Sequence, residues 1–389
     1  MSQQSNQHLE IVPSNVTSNG KLSFRNGQPV IQFIIGEQER YLLGSSLRLQ
    51  GNFTIQNSSG ALGKDNTLLS WDGRTSLYST IDQVVIKSQA TNQTIEHIRN
   101  YNRFMASYLA TTNDLGDGLS HLNESALQSL NPLAAKLQVV DNAYNITSSP
   151  QPFCINLPCG LFNGTGPIPL SRQWGLGGLL LEIHLSPDSN VLFDTSGAGT
   201  TVQNAFYEYK NMSLICEVQT PAPSDLAKLQ SSGGSGNTFE YNSVSSYYTT
   251  FNSTNAIINF QLGLSRVLSV FCNFITSAHI NNRTANGMTT YYPMKSPGDT
   301  VATIKQVVFT RGGERLPLEY NIDTVQRTEP LNRHPDAQIY RNFVNAIQAF
   351  PKNTRNCINM DNMLMLDKTD VLGYNNFIDG GAAVGVGVA

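Results

Sequence analysis

Ile81-Asp82-Gln83-Val84-Val85-Ile86 is met again far along the chain as Ile304-Lys305-Gln306-Val307-Val308-Phe309. Counted on from each copy without a gap, Ile95-Glu96 falls opposite Leu318-Glu319, so an apolar-acidic pair recurs at the same offset. Each copy is followed, at different distances, by a segment with helical periodicity. Internal repeats decide how many units a chain holds and are read before anything else. The expectation is one β-rich unit used twice.

Working outward from the first copy, Val30 to Ile35 is a strand ended by Gly36. Leu47, Leu49, Gly51, Phe53 and Ile55 alternate with Arg48, Gln50, Asn52 and Thr54, the pattern of a half-buried strand in an antiparallel sheet. Asn57-Ser58-Ser59-Gly60 supplies turn chemistry. Beyond the repeat, Ile95, Ile98, Tyr101, Phe104, Met105 and Tyr108 share one face of a predicted helix, with Asn92 or Thr94 as its cap. A second short helix is expected over 123–137, interrupted at Pro132. Strands return at Phe153–Leu157, broken by Pro158, and at Leu179–Leu185, where Leu181, Ile183 and Leu185 oppose Glu182 and His184.

The small polar run Asp194 to Thr201 reads as a boundary. After it, Met212, Leu214, Cys216 and Val218 alternate with Ser213 and Glu217, and Ile258, Phe260, Leu262 and Leu264 with Asn259, Gln261 and Gly263. Ser231 to Asn237 is expected to be a mobile surface loop. A helix is expected from Pro335 to Phe350, carrying Ile339, Tyr340, Phe343, Val344 and Ile347 on its apolar face and stopped by Pro351. Ala382 to Ala389 alternates like a strand and then stops, which predicts a strand lacking its partner or completed by further residues. The domain scheme is therefore a flexible arm over 1–21, a first unit over 22–193, a linker over 194–205, and a second unit over 206–389 that is incomplete at its C-terminus.

Composition narrows the function. The chain has 389 residues, and only 14% are charged, against roughly 25% in ordinary soluble domains. Its net charge is −3, and Met1 to Gly20 holds no Lys or Arg. Neither a global field nor a basic arm draws it to nucleic acid. No signal-peptide core or membrane-spanning run is present, so a soluble protein made and folded in the cytoplasm is expected. Cys154, Cys159, Cys216, Cys272 and Cys357 lack metal-ligand spacing and read as reduced, buried thiols. Glycosylation sequons such as Asn15, Asn52, Asn92, Asn145, Asn211 and Asn282 follow from the abundance of Asn, Ser and Thr.

Candidate chemistry is sparse. His184 and Asp188 flank Pro187, but His184 falls on the outward side of its strand and no nucleophile accompanies it. Gly175-Leu176-Gly177-Gly178 lacks the GxGxxG spacing and precedes its strand instead of following it. Arg311-Gly312-Gly313-Glu314-Arg315 reads as a solvated turn. The expectation is no catalytic, cofactor or metal residue, no cofactor and no enzyme. A carbohydrate-binding β-sandwich is the alternative, with Trp71, Trp174, Tyr247, Tyr248, Tyr291 and Tyr292 as candidates for a sugar platform.

Ile81 to Ile86 with Ile95-Glu96-His97-Ile98-Arg99-Asn100-Tyr101 after it, Leu179 to Leu185, and Val307 to Pro317 together carry a resemblance. From about Leu22 onward the chain resembles the double jelly-roll major capsid proteins of tailless icosahedral double-stranded DNA viruses, of the polinton-like virus and virophage type. The resemblance implies an all-β fold: two tandem antiparallel jelly rolls with short helices in the inter-strand loops. It implies a homotrimer of pseudo-hexagonal outline within an icosahedral shell. It further implies contacts with neighbouring capsomers, penton and minor or cement proteins, an internal membrane as a further candidate partner, and no sequence-specific nucleic acid. The implied location is the virion, assembled in the host cytoplasm or nucleus.

Overall fold

Alternating burial turns most of these apolar runs into strands. The computed structural model describes residues 6–15, 23–25, 30–56, 70–72, 75–112, 136–138, 150–163, 166–173, 175–193, 205–225, 227, 241–253, 255–260, 266–275, 277, 280–283, 306–321, 345–346, 350 and 383–387. Its strands are β1 (Asn6–Ile11), β2 (Ser23–Phe24), β3 (Val30–Ile35), β4 (Tyr41–Gln56), β5 (Ser70–Asp72), β6 (Ile81–Ser88), β7 (Thr94–Ile98) and β8 (Lys136–Gln138). They continue as β9 (Gln151–Asn156), β10 (Ile168–Pro169), β11 (Leu179–Leu185), β12 (Phe206–Gln219), β13 (Ser269–Asn273), β14 (Gln306–Arg311), β15 (Glu314–Asn321) and β16 (Ala383–Gly387). Helix α1 spans Tyr101–Thr112.

Two sheets face each other. One runs β1-β12-β4, with β9 and β10 on the far side of β4 and β2 beside β12; the other runs β3-β11-β6-β7. Every pairing in both sheets is antiparallel. Lettered B to I in chain order, the eight principal strands β1, β3, β4, β6, β7, β9, β11 and β12 give sheets B-I-D-G and C-H-E-F. That order is a jelly roll. Inward residues of both sheets meet in one core: Phe33, Leu49, Phe53, Val84, Ile86, Leu181, Ile183 and Leu214 are all buried in it. At its centre Phe53 stacks on Trp71 at 5.2 Å and meets Tyr209 at 5.2 Å and Tyr207 at 6.1 Å.

The register of β12 is corrected midway. Tyr207 and Tyr209 face the core, and then Met212, Leu214, Cys216 and Val218 do, so the inward set changes from odd to even positions. A slip of one residue would otherwise turn the whole second half to solvent. Asn211, at φ 52°, absorbs it where the pairing with β4 shifts between Lys210 and Ser213. Asn tolerates this left-handed conformation better than other residues bearing a Cβ, and Gly tolerates it best. Asn211→Ala is therefore expected to cost about 1 kcal/mol in thermal or urea unfolding and Asn211→Gly much less. An alanine variant as stable as the parent would mean that the bulge does not need this residue.

Several expectations are corrected. Residues 6–11 of the expected arm form β1, hydrogen-bonded to β12 from Asn6↔Gln219 to Ile11↔Leu214. The boundary at 194–205 also moves: Phe206–Gln219, assigned from sequence to the second unit, is the last strand of the first and lies between β1 and β4. The helix predicted from Ile95 starts at Tyr101, because Thr94–Ile98 pairs with β6 instead. Asn100, at φ 50°, separates the two, and its carbonyl accepts the Arg103 and Phe104 amides of the first turn. Lys136 and Leu137, expected at a helix end, pair in strand β8 with β5. Ile258 and Phe260 belong to no strand and are exposed. The C-terminal alternation does find a partner, as Ala383–Gly387 pairs with Ser269–Asn273.

The repeat holds in local structure. β6 turns back into β7, and β14 turns back through Gly312-Gly313 into β15. Glu96 and Glu319 each sit on the returning strand. Parts of the later chain also pack on the first roll: Phe350 meets Phe104 edge-on at 5.1 Å and Tyr108 at 5.7 Å, and Phe271 of β13 approaches Phe104 at 6.4 Å. Of the helix expected over 335–350, only Asn345, Ala346 and Phe350 fall within the described residues, and the loop expected at 231–237 falls outside them.

Candidate functional site

β7 is the outer strand of the C-H-E-F sheet, and an unpaired strand edge is a template for foreign strands unless something covers it. Here the chain beyond the completed roll returns to cover it. The Tyr241 hydroxyl donates to the Ile95 carbonyl at 2.8 Å, and the Ser246 hydroxyl donates to the Arg99 carbonyl. Between them, Ser243 Oγ donates to Glu96 Oε1 at 2.8 Å.

Glu96 is the centre of this clamp. Its side chain points inward from β7 and is 2% exposed. Oε1 accepts the Gly160 amide at 3.0 Å and Oε2 the Leu161 amide at 2.9 Å. One carboxylate thus ties β7, the loop after β9 and the returning chain together. Burial pushes its pKa above the ordinary carboxylate value, against the hydrogen bonds from Leu161, Ser243, Gly160 and Val244. Gly160 has no room for a side chain, since a Cβ there would lie 2.1 Å from the Asn242 carbonyl oxygen.

From Tyr241 through Ser265 the returning segment contains no Asp, Glu, Lys, Arg or His. It presents Tyr247, Tyr248, Phe251, Ile257, Ile258 and Phe260 to solvent, with Ile257 90% exposed. The remaining exposed large apolar residues among those described are Val12 and Ile34. The outer face of the C-H-E-F sheet is polar by contrast. Lys87 Nζ lies 2.9 Å from Glu182 Oε2, Gln32 Nε2 donates to Glu182 Oε1 at 3.1 Å, and His97 Nε2 is 2.9 Å from Gln83 Oε1. Partial burial, then Arg99, His184 and Lys87, hold the His97 pKa below its ordinary value, against the pull of Glu182.

The candidates for chemistry do not converge. His184 is on the outer face, 3.9 Å from Glu182, while Asp188 accepts the Tyr207 amide at 3.1 Å. Gly177 and Gly178, both at positive φ, form the turn into β11: the Gly178 amide donates to the Leu170 carbonyl and the Gly177 amide to that of Ser171. Cys154, Cys159 and Cys216 are free thiols, and burial lifts that of Cys216 to about 11. Among the described residues no three His, Cys, Asp or Glu gather as metal ligands. The sugar platform loses Trp71, which is fully buried against Phe53. Tyr247 and Tyr248 are exposed as that reading needs, and Trp174, Tyr291 and Tyr292 lie outside the described residues.

Glu96 and the uncharged segment escaped the sequence reading. The available signals were the Ile95-Glu96 echo and the long interval without a charge.

No family model matches the chain, and no curated protein matches it. Among solved structures it is similar to the PBCV-1 virus capsid, at 14% identity and a TM-score of 0.36, over 59% of this chain and 45% of that one. It is similar to a chain of the Sputnik virophage at 11% identity and a TM-score of 0.34, over 56% and 48%. The mavirus major capsid protein, at 11% identity and a TM-score of 0.34, is covered over 77% of its length by 98% of this chain. The first two matches span about half the length of those chains.

Proposed function

We propose that this chain is a major capsid protein of double jelly-roll type, a structural, non-enzymatic subunit that trimerises into pseudo-hexagonal capsomers of an icosahedral virion. One observation carries the reading. The first jelly roll is complete at Gln219, and beyond it the β6–β7 hairpin recurs as β14–β15, so a chain that has finished one roll contains the hairpin of another. The sequence resemblance points the same way. Two like units in each of three chains fill a near-sixfold position under closed threefold symmetry. Neighbouring capsomers, penton and minor or cement proteins are the partners this role requires.

The test is the mass of the purified protein by light scattering, together with electron microscopy. A species of three chains with a hexagonal outline, assembling into closed shells at higher concentration, is expected. A monomer at every concentration would overturn the proposal.

A further inference from the structure

The uncharged segment that closes the β7 edge is too apolar on its outer side to be only a cover. We infer that its exposed side chains, Tyr247, Tyr248, Phe251, Ile257, Ile258 and Phe260, form the surface by which one copy of this chain holds the next, a reading that rests on the capsid role proposed above. The surface is built before contact. Tyr241, Ser243 and Ser246 fix one end to β7. Tyr247 and Phe260 pair at 6.0 Å, and Phe251 meets Phe274 edge-on at 6.3 Å. Side chains held in place lose little freedom on binding.

Charge selects the occupant. A phosphate, a lipid headgroup or an acidic or basic partner would need countercharges that Tyr241 to Ser265 does not contain. A second copy needs none. Each copy carries −3, and contact through a segment without charges brings no like charges together and strips none of water. Aromatic enrichment with charge depletion is also the composition of an interface core.

The experiment is sedimentation velocity over a concentration series on the full chain and on a Tyr248→Glu/Ile257→Glu double variant. Both side chains are more than half exposed, so the melting temperature should stay unchanged while the dissociation constant between copies rises roughly 30-fold or more. A photo-crosslinking residue at position 257 should give links between copies. If the parent associates and the double variant associates equally, or the crosslinks stay within one chain, this inference falls and the capsid proposal stands. If the parent never associates, both fall.

Discussion

Phe53→Ala is expected to lower the unfolding free energy by about 3–5 kcal/mol, the range for emptying a buried aromatic site. Phe53 is fully buried and in ring contact with Trp71, Tyr207 and Tyr209, which belong to β5 and β12. The three neighbours are large rings held on two different strands, so they cannot collapse into the space. For a roll of this size the melting temperature should fall by roughly ten degrees, read by differential scanning fluorimetry. A loss below about 1 kcal/mol would show that the two sheets do not close on this cluster.

Glu96→Ala is expected to cost a similar amount, about 3–5 kcal/mol, by another route, since each buried donor left without its acceptor costs about 1–3 kcal/mol. The substitution removes the acceptor of the Gly160 and Leu161 amides and of the Ser243 hydroxyl at a site with little access to water. Donors buried without partners forfeit their hydration and gain nothing in return. The returning segment should also detach, so limited proteolysis between Tyr241 and Phe260 should speed up in this variant and not in Phe53→Ala at equal unfolded fraction. Unchanged cleavage would mean that the clamp is not what holds the segment.

The same residue gives a pH test with a definite sign. Because burial raises the Glu96 pKa, the folded state binds its proton more tightly than the unfolded chain does. Its contribution is then complete below the ordinary value of 4.5 and is lost as pH rises through the raised one. Glu96→Gln cannot titrate. The stability of the parent minus that of Glu96→Gln should therefore decline with rising pH, measured by urea unfolding from acid to neutral conditions. A difference that grows with pH would reverse the assignment.

How far the sequence reached depended on whether the deciding information was local. The faces of β4 and β11 were legible, since a strand with one buried side writes its geometry into every second residue. The start of α1 was not. Ile95 and Ile98 are three apart, a spacing that suits a helix face, and the choice was made by pairing between Thr94–Ile98 and β6. The unit boundary failed for a similar reason. Asp194 to Thr201 looks like a tether, but the partners that claim β12 are β1 and β4, far upstream, and ladder partners leave no mark in the strand they recruit. Glu96 sits on the inward phase of its strand, where alternation predicts an apolar residue. Its donors come from residues 160, 161 and 243, and only the folded chain brings them together.

The pairing of Asn6 with Gln219 also sets a clock on synthesis. At ordinary elongation rates roughly ten to forty seconds separate the appearance of those two residues. Throughout that interval the nascent polypeptide carries β1 with no strand to receive it. Fragments ending before residue 219 should accordingly emerge from the ribosome sticky and dependent on chaperones, whereas one ending just beyond it has every strand of the first roll at hand.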